Sequence, residues 1–105
     1  MNIKRLLDGI EYEWLSEIKI DDIATVTHKH QDINAGDCYI CLQTNDKGMQ
    51  NLQFAIEKGA SLIVVDKYVK IPENIAVIKI KDIREGYALI AKNYYGKTAD
   101  SMRMI

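Results

Sequence analysis

The stretch that decides the fold is residues 36–67, GDCYICLQTNDKGMQNLQFAIEKGASLIVVDK. An apolar run from Tyr39 to Leu42 follows a Gly-Asp turn and predicts a strand, and apolar residues at helical spacing then predict a helix that ends at Gly59. Residues 62–65, Leu-Ile-Val-Val, are apolar on both faces, as a central strand of a parallel sheet requires. Because parallel strands need a crossover, which is right-handed in most folds, we expect a right-handed βαβ unit. The stretch predicts an α/β fold, a single layered domain with a mixed sheet.

Weaker elements precede this unit. Asn2 is a suitable N-cap for a three-turn helix with an apolar stripe on one face and Gly9 near its end. Residues 11–18 and 20–27 contain loosely alternating apolar side chains, which predict two short strands.

After the unit, a turn at residues 72–74 leads into a predicted strand at Ala76 to Ile80. Asp82 and Glu85 then have the spacing of a capping box and open a strongly patterned helix, which we expect to end at Gly96. Residues 101–105 look like the opening of another strand, and we expect a larger protein to continue beyond it.

Composition excludes several classes of protein. The 105 residues carry a net charge of −1, so no electrostatic field gathers nucleic acid or an anionic membrane. No stretch has the length of a membrane span, and acidic residues follow the N-terminal Lys4 and Arg5 where a signal peptide has an apolar run. We therefore expect a cytoplasmic protein that binds neither nucleic acid nor membrane and whose two cysteines stay reduced.

Two short motifs suggest chemistry that their context argues against. Cys38 and Cys41 form a C-x-x-C pair, but positions three apart on a strand point to opposite faces, so we interpret both as core residues. Residues 96–98, Gly-Lys-Thr, match the end of a phosphate-binding loop, yet its first glycine would fall at Ala91 and the triplet ends a helix. We expect no ATP site there.

A pair of histidines and a polar loop are the candidate site. His28 and His30 lie two apart, so on an extended segment both rings would face the same way. They are surface residues by default, with a metal pair or hydrogen bonds to a nucleotide as alternatives, and no third ligand is evident. Residues 43–48 form a loop between the carboxyl end of a strand and a helix, where ligands of α/β sheets bind, although the loop is equally consistent with a solvated connection.

Several segments together resemble the N-terminal domain of the Mur ligases, most closely MurE, the UDP-N-acetylmuramoyl-tripeptide synthetase. Residues 35–42, AGDCYICL, are similar to the family's Pro/Ala-Gly-Asp-Leu-Phe-Val-Ala-Leu. The other similar segments are residues 55–60, 63–65, 82–96 and 102–105.

The resemblance implies binding of the uridine diphosphate end of UDP-MurNAc-peptide, with no catalytic residue and no metal ligand on this chain. Its site residues would be His28, His30, Thr44, Asn45 and Asp46. ATP and magnesium would serve the full-length ligase, whose central and C-terminal domains would be this chain's other partners.

Domain bounds and departures also follow from the resemblance. Residues 1–100 would be the UDP-sugar-binding domain and 101–105 the start of a strand leading to an ATP-binding central domain. Lys29-His30-Gln31 stands where the family has Asp-Ser-Arg, and Lys47 to Asn51 replaces its Asp-Gly-His-Asp-Phe. These departures leave an alternative open, a divergent paralogue that kept the fold, lost the nucleotide and serves as a docking or assembly module.

Overall fold

A computed structural model describes residues 2–42, 46–69 and 74–103, without the side chains of His30, Asp46 and residues 96–103. Five strands, three α-helices and one 3₁₀ helix follow one another within these residues. In chain order they are α1 (Ile3–Leu6), β1 (Tyr12–Trp14), β2 (Val26–Thr27), the 3₁₀ helix (His30–Asp32), β3 (Cys38–Ile40), α2 (Asp46–Glu57), β4 (Leu62–Val65), β5 (Ala76–Ile80) and α3 (Ile83–Arg103).

The five strands form one mixed sheet in the order β1-β5-β4-β3-β2. Strands β2 to β5 are parallel, with Cys38 level with Val26 on one side and with Leu62 on the other. Strand β1 pairs antiparallel with β5 at the far edge. The mixed α/β sheet predicted from the sequence is confirmed, and β4 and β5 have the predicted bounds.

Helices cover both faces of the sheet. Strands β3 and β4 are buried along their whole length, so side chains on each face contribute to a separate apolar core. The core under α1 and α3 includes Cys38, Ile40, Leu62, Val64, Ile78 and Ile90. The core under α2 includes Tyr39, Cys41, Leu52, Ala55, Ile63 and Val77.

Helix α1 is shorter than the apolar stripe predicts. Asn2 caps it as expected, since its side-chain oxygen accepts a hydrogen bond from the N–H of Lys4 at 2.8 Å. The helix nevertheless ends after one turn, and the chain reverses at Gly9, which has a φ of 82°. Asn93 of α3 donates to the carbonyl oxygens of Leu6 and Asp8 at 2.8 and 3.0 Å, so tertiary hydrogen bonds replace further helical turns.

Helix α3 begins where the sequence predicts and continues beyond the predicted end. The carboxylate of Asp82 accepts hydrogen bonds from the N–H groups of Arg84 and Glu85, at 3.0 and 3.1 Å. The predicted end at Gly96 and a strand from residue 101 are wrong, because the helix runs to Arg103. A glycine inside a helix costs only about 1 kcal/mol, which one residue in a long helix tolerates. No helix in the described residues is long and apolar enough to cross a membrane.

Candidate functional site

The candidate site lies at the carboxyl edge of β2 and β3, two neighbouring parallel strands. Strand β2 ends at Thr27, level with Tyr39, so His28 is the first residue beyond this edge. Strand β3 ends at Ile40, and α2 begins at Asp46. The topology therefore brings His28 and the start of α2 to the same edge, where ligands of open α/β sheets bind.

His28 is partly buried and paired with a residue far away in the chain. Its Nδ1 lies 2.9 Å from the hydroxyl of Tyr87 on α3, and the two ring centroids are 5.1 Å apart. Sequence reasoning missed Tyr87, because in the helical pattern it is only one of several apolar residues facing the sheet. No spacing rule links two side chains 59 positions apart.

The chain turns immediately after His28. The N–H of Lys29 donates to the hydroxyl oxygen of Thr27 at 3.1 Å, a local turn that ends the strand. A 3₁₀ helix then begins at His30, whereas Lys29, between the two histidines, has an extended backbone. Lys29 is exposed beside the site.

The remaining predicted site residues are only partly covered by the structure. Thr44 and Asn45 lie outside the described residues, and Asp46 is described as the first residue of α2 without its side chain. Lys47 follows in the first turn and is exposed. Two lysines, Lys29 and Lys47, therefore flank this edge.

A buried carboxylate anchors the loop that carries the histidines. Asp37, which is 2% exposed, accepts hydrogen bonds from the N–H of Asn34 at 2.9 Å and the N–H of Thr25 at 3.2 Å. Thr25 precedes β2 and Asn34 follows the 3₁₀ helix, so one side chain joins both ends of the segment. These hydrogen bonds give the aspartate of the Gly-Asp turn before β3 a structural role.

The cysteines lie on opposite faces of the sheet, as predicted. Cys38 packs in the core under α1 and α3, whereas Cys41 packs in the core under α2. Burial, together with the nearby charge of Asp37, raises the pKa of the Cys38 thiol far above its ordinary value. Both thiols are buried on opposite sides of the sheet, so they neither form a disulfide with each other nor share a metal ion.

The structure gives no support for metal or ATP chemistry in the described part of the chain. Residues 2–42, 46–69 and 74–103 hold no group of three or more His, Cys, Asp or Glu side chains able to ligate a metal ion. Gly96 lies inside α3, whereas a phosphate-binding loop joins a strand to the start of a helix. The triplet at residues 96–98 therefore lacks the structural setting of a phosphate-binding loop.

In the described part of the chain, two concavities lie away from this edge. One, of about 180 Å³, is formed by the end of β5, the start of α3 and the turn at Gly9. The other, of about 280 Å³, runs along the exposed side of α2 beside Phe54. Neither is lined by His28, so the candidate site rests on topology and side-chain chemistry.

No family model matches the chain, but comparison with known proteins finds relatives that align along its whole length. The chain is 32% identical over 109 residues to the UDP-N-acetylmuramoyl-L-alanyl-D-glutamate–2,6-diaminopimelate ligase of Clostridium tetani. It is 29% identical over 106 residues to the ligase of the same name from Clostridium perfringens. Each match covers 100% of this chain and 22% of the relative, so the chain spans about a fifth of the length of these relatives.

A solved structure has the same fold. MurF from Acinetobacter baumannii superposes with a TM-score of 0.73 over 93% of this chain and 21% of its own length. Its identity to this chain is 14%, so this comparison concerns the fold alone.

Proposed function

Because this chain is homologous to the N-terminal region of the Mur ligases, we propose that it holds the uridine diphosphate end of UDP-MurNAc-peptide for a MurE-type ligase. The observation that carries the proposal is the position of His28, one residue beyond β2 and on the same edge as the start of α2. Site residues carried over from the family resemblance are His28, His30, Thr44, Asn45 and Asp46.

The chemistry of this edge supports a diphosphate ester as the ligand. Lys29 and Lys47 are exposed and positively charged, and the positive end of the α2 helix dipole lies at the same edge. An imidazole can donate to or accept from the oxygens of uracil, ribose or phosphate. A nucleoside diphosphate combines negative charge with such oxygens, which is the combination these groups recognise.

This chain would contribute binding and no catalytic group. The ATP and magnesium that the resemblance implies would act in the central and C-terminal domains of a full-length ligase. Peptidoglycan precursor synthesis, a cytoplasmic location and contact with those domains belong to the same proposal.

A titration of the ¹⁵N-labelled chain with UDP tests the proposal. We expect backbone amide shifts in residues 27–32 and 46–50, and none at the opposite edge around Ser61 and Asn74. His28→Ala is expected to weaken binding, whereas Gln53→Ala, an exposed change midway along α2, serves as the matched control. Uridine compared with UDP measures how much the charge of the diphosphate contributes.

Lys29-His30-Gln31, in place of the family's Asp-Ser-Arg, favours a second candidate function. A domain that kept the fold and lost the nucleotide would serve as a docking or assembly module. Saturating UDP without any shift at the carboxyl edge would exclude nucleotide binding and leave this alternative.

A further inference from the structure

We propose that Tyr87 is a positioning residue for His28, whose imidazole it holds in the tautomer protonated at Nε2. The proposal deepens the proposed function and rests on it in one respect, the identity of the ligand. It assigns a role to the one polar contact that joins α3 to the segment after β2 in the described structure.

The assignment of donor and acceptor follows from the chemistry of the two groups. A phenolic hydroxyl is the stronger donor, and an unprotonated imidazole nitrogen is the stronger acceptor. At a separation of 2.9 Å, the Tyr87 hydroxyl therefore donates to Nδ1. A neutral ring that accepts at Nδ1 carries its proton at Nε2, since the hydrogen bond made by one nitrogen sets the state of the other.

The contact also fixes where the ring lies. Tyr87 is partly buried against the core under α1 and α3, so α3 holds its hydroxyl in place. Its ring is inclined at 55° to the imidazole and packs against it, which restricts rotation of the His28 side chain. Among the described residues, no other side chain contacts the His28 ring through a hydrogen bond.

The consequence for binding is a preset hydrogen-bond donor. With Nδ1 occupied by the Tyr87 hydroxyl, Nε2–H is the N–H of the ring that can donate to an oxygen acceptor of the ligand. A ring already oriented by Tyr87 loses less conformational freedom when the ligand binds than a freely rotating ring does. Tyr87 therefore acts through His28 without touching the ligand.

Nitrogen-detected NMR of the neutral imidazole tests the tautomer without any ligand. We expect an unprotonated Nδ1 and a protonated Nε2 in the wild-type chain, and a measurable Nδ1–H population in Tyr87→Phe, which keeps the ring and removes the hydroxyl. Tyr94→Phe is the matched control, since Tyr94 lies about two turns further along α3 and packs against the same core. A wild-type ring protonated at Nδ1 would overturn the proposal.

A double-mutant cycle with UDP tests the positioning role. Tyr87→Phe is expected to weaken UDP binding about 2- to 12-fold, the range for loss of one hydrogen bond, and to have no effect in a His28→Ala background. In His28→Gln, the side-chain NH₂ group takes the place of Nε2 and is a donor whatever its neighbours are. UDP binding by this variant should therefore be insensitive to Tyr87→Phe. An equal loss in all backgrounds would mean that Tyr87 is structural and would overturn the proposal.

The two tests separate this inference from the proposed function. If UDP does not bind to the wild-type chain, the proposed function fails. The tautomer measurement then still decides whether the Tyr87 hydroxyl donates to Nδ1 of His28. If UDP binds and the tautomer is Nδ1–H, the proposed function stands and this inference fails.

Discussion

Gly36 donates its backbone N–H to the carbonyl oxygen of Gly59 at 3.0 Å, which joins the turn before β3 to the turn before β4. Both glycines have positive φ values, 90° and 101°. The hydroxyl of Ser61 adds a hydrogen bond to the carbonyl oxygen of Gly36 at 2.9 Å. The amino ends of two parallel strands are therefore aligned by backbone contacts that need glycine at both turns.

Gly59→Ala is expected to destabilise the fold by about 2 kcal/mol, because a Cβ here combines two penalties. The φ of 101° is unfavourable for any residue with a Cβ, and the new atom would lie 3.2 Å from Cα of Ala35. Urea denaturation followed by circular dichroism measures the change in the free energy of unfolding.

Gly9→Ala is the matched control, since Gly9 has a φ of 82° with nothing within 4 Å of its added Cβ. It should cost about 1 kcal/mol, from the backbone conformation alone. Equal losses in the two variants would contradict the role of the close approach to Ala35.

Asp37→Asn is expected to cost about 2–3 kcal/mol, because the two carboxylate oxygens accept from two different backbone N–H groups. An asparagine offers one acceptor oxygen and turns its NH₂ group toward the other donor, which leaves a buried N–H without a partner. Thermal and urea denaturation measure this loss. Asp32→Asn, an exposed change in the same loop, should leave the stability within about 0.5 kcal/mol of the wild type.

The central sheet could be predicted from the sequence, whereas the length of α1 and the pairing of His28 with Tyr87 could not, for physical reasons that differ by element. Strand β4 is a buried apolar run and β5 is apolar except for Lys79, so the bounds of both strands are encoded locally. The extent of α1 depends on Asn93, which lies 87 residues from Leu6, and the pairing of His28 with Tyr87 spans 59. Such tertiary contacts leave no periodic pattern in the sequence.

The end of α3 illustrates a different failure. Gly96 was predicted to end the helix because glycine is common just after helices, but the same residue is also tolerated inside them. A glycine ends a helix when its own backbone adopts the left-handed conformation. The sequence alone does not show which glycines do so. The domain bounds at residues 100 and 101 remain a prediction.

Gly86→Ala tests how tightly α3 packs on the sheet. A Cβ at Gly86 would overlap Cδ1 of Ile80 and also lie 3.4 Å from its Cγ1. Alanine gains about 1 kcal/mol of helix propensity, whereas overpacking costs about 1–3 kcal/mol, so the variant should be neutral or destabilised.

Ile80→Val removes the overlapping methyl group and provides the matched background. There, Gly86→Ala should stabilise the chain by about 0.5–1 kcal/mol relative to Ile80→Val alone, because only the gain in propensity remains. A double-mutant cycle by urea denaturation measures the coupling. A coupling of zero would contradict the predicted contact between the two positions.

Stability should fall as the pH rises above about 9, because two buried side chains keep their protons in the folded state. Burial raises the pKa of Tyr39 from 10.0 to about 12, with the nearby Cys41 as a smaller cause. Burial also raises the pKa of the Cys38 thiol above its ordinary value of 9.0. The unfolded chain therefore loses these protons at a lower pH than the folded chain does. The free energy of unfolding falls progressively as the pH rises above about 9.

Two variants separate the contributions of these side chains to the pH dependence. In Cys38→Ala the part of the decline that starts near pH 9 should shrink, because one of the two thiols that ionise in the unfolded chain is gone. In Tyr39→Phe the part of the decline between pH 10.0 and about 12 should shrink, because phenylalanine carries no ionisable group. The measurement is the slope of the unfolding free energy against pH, which is independent of the constant penalty that each substitution imposes on packing. A wild-type slope of zero over this range would show that neither proton is held more tightly in the folded state.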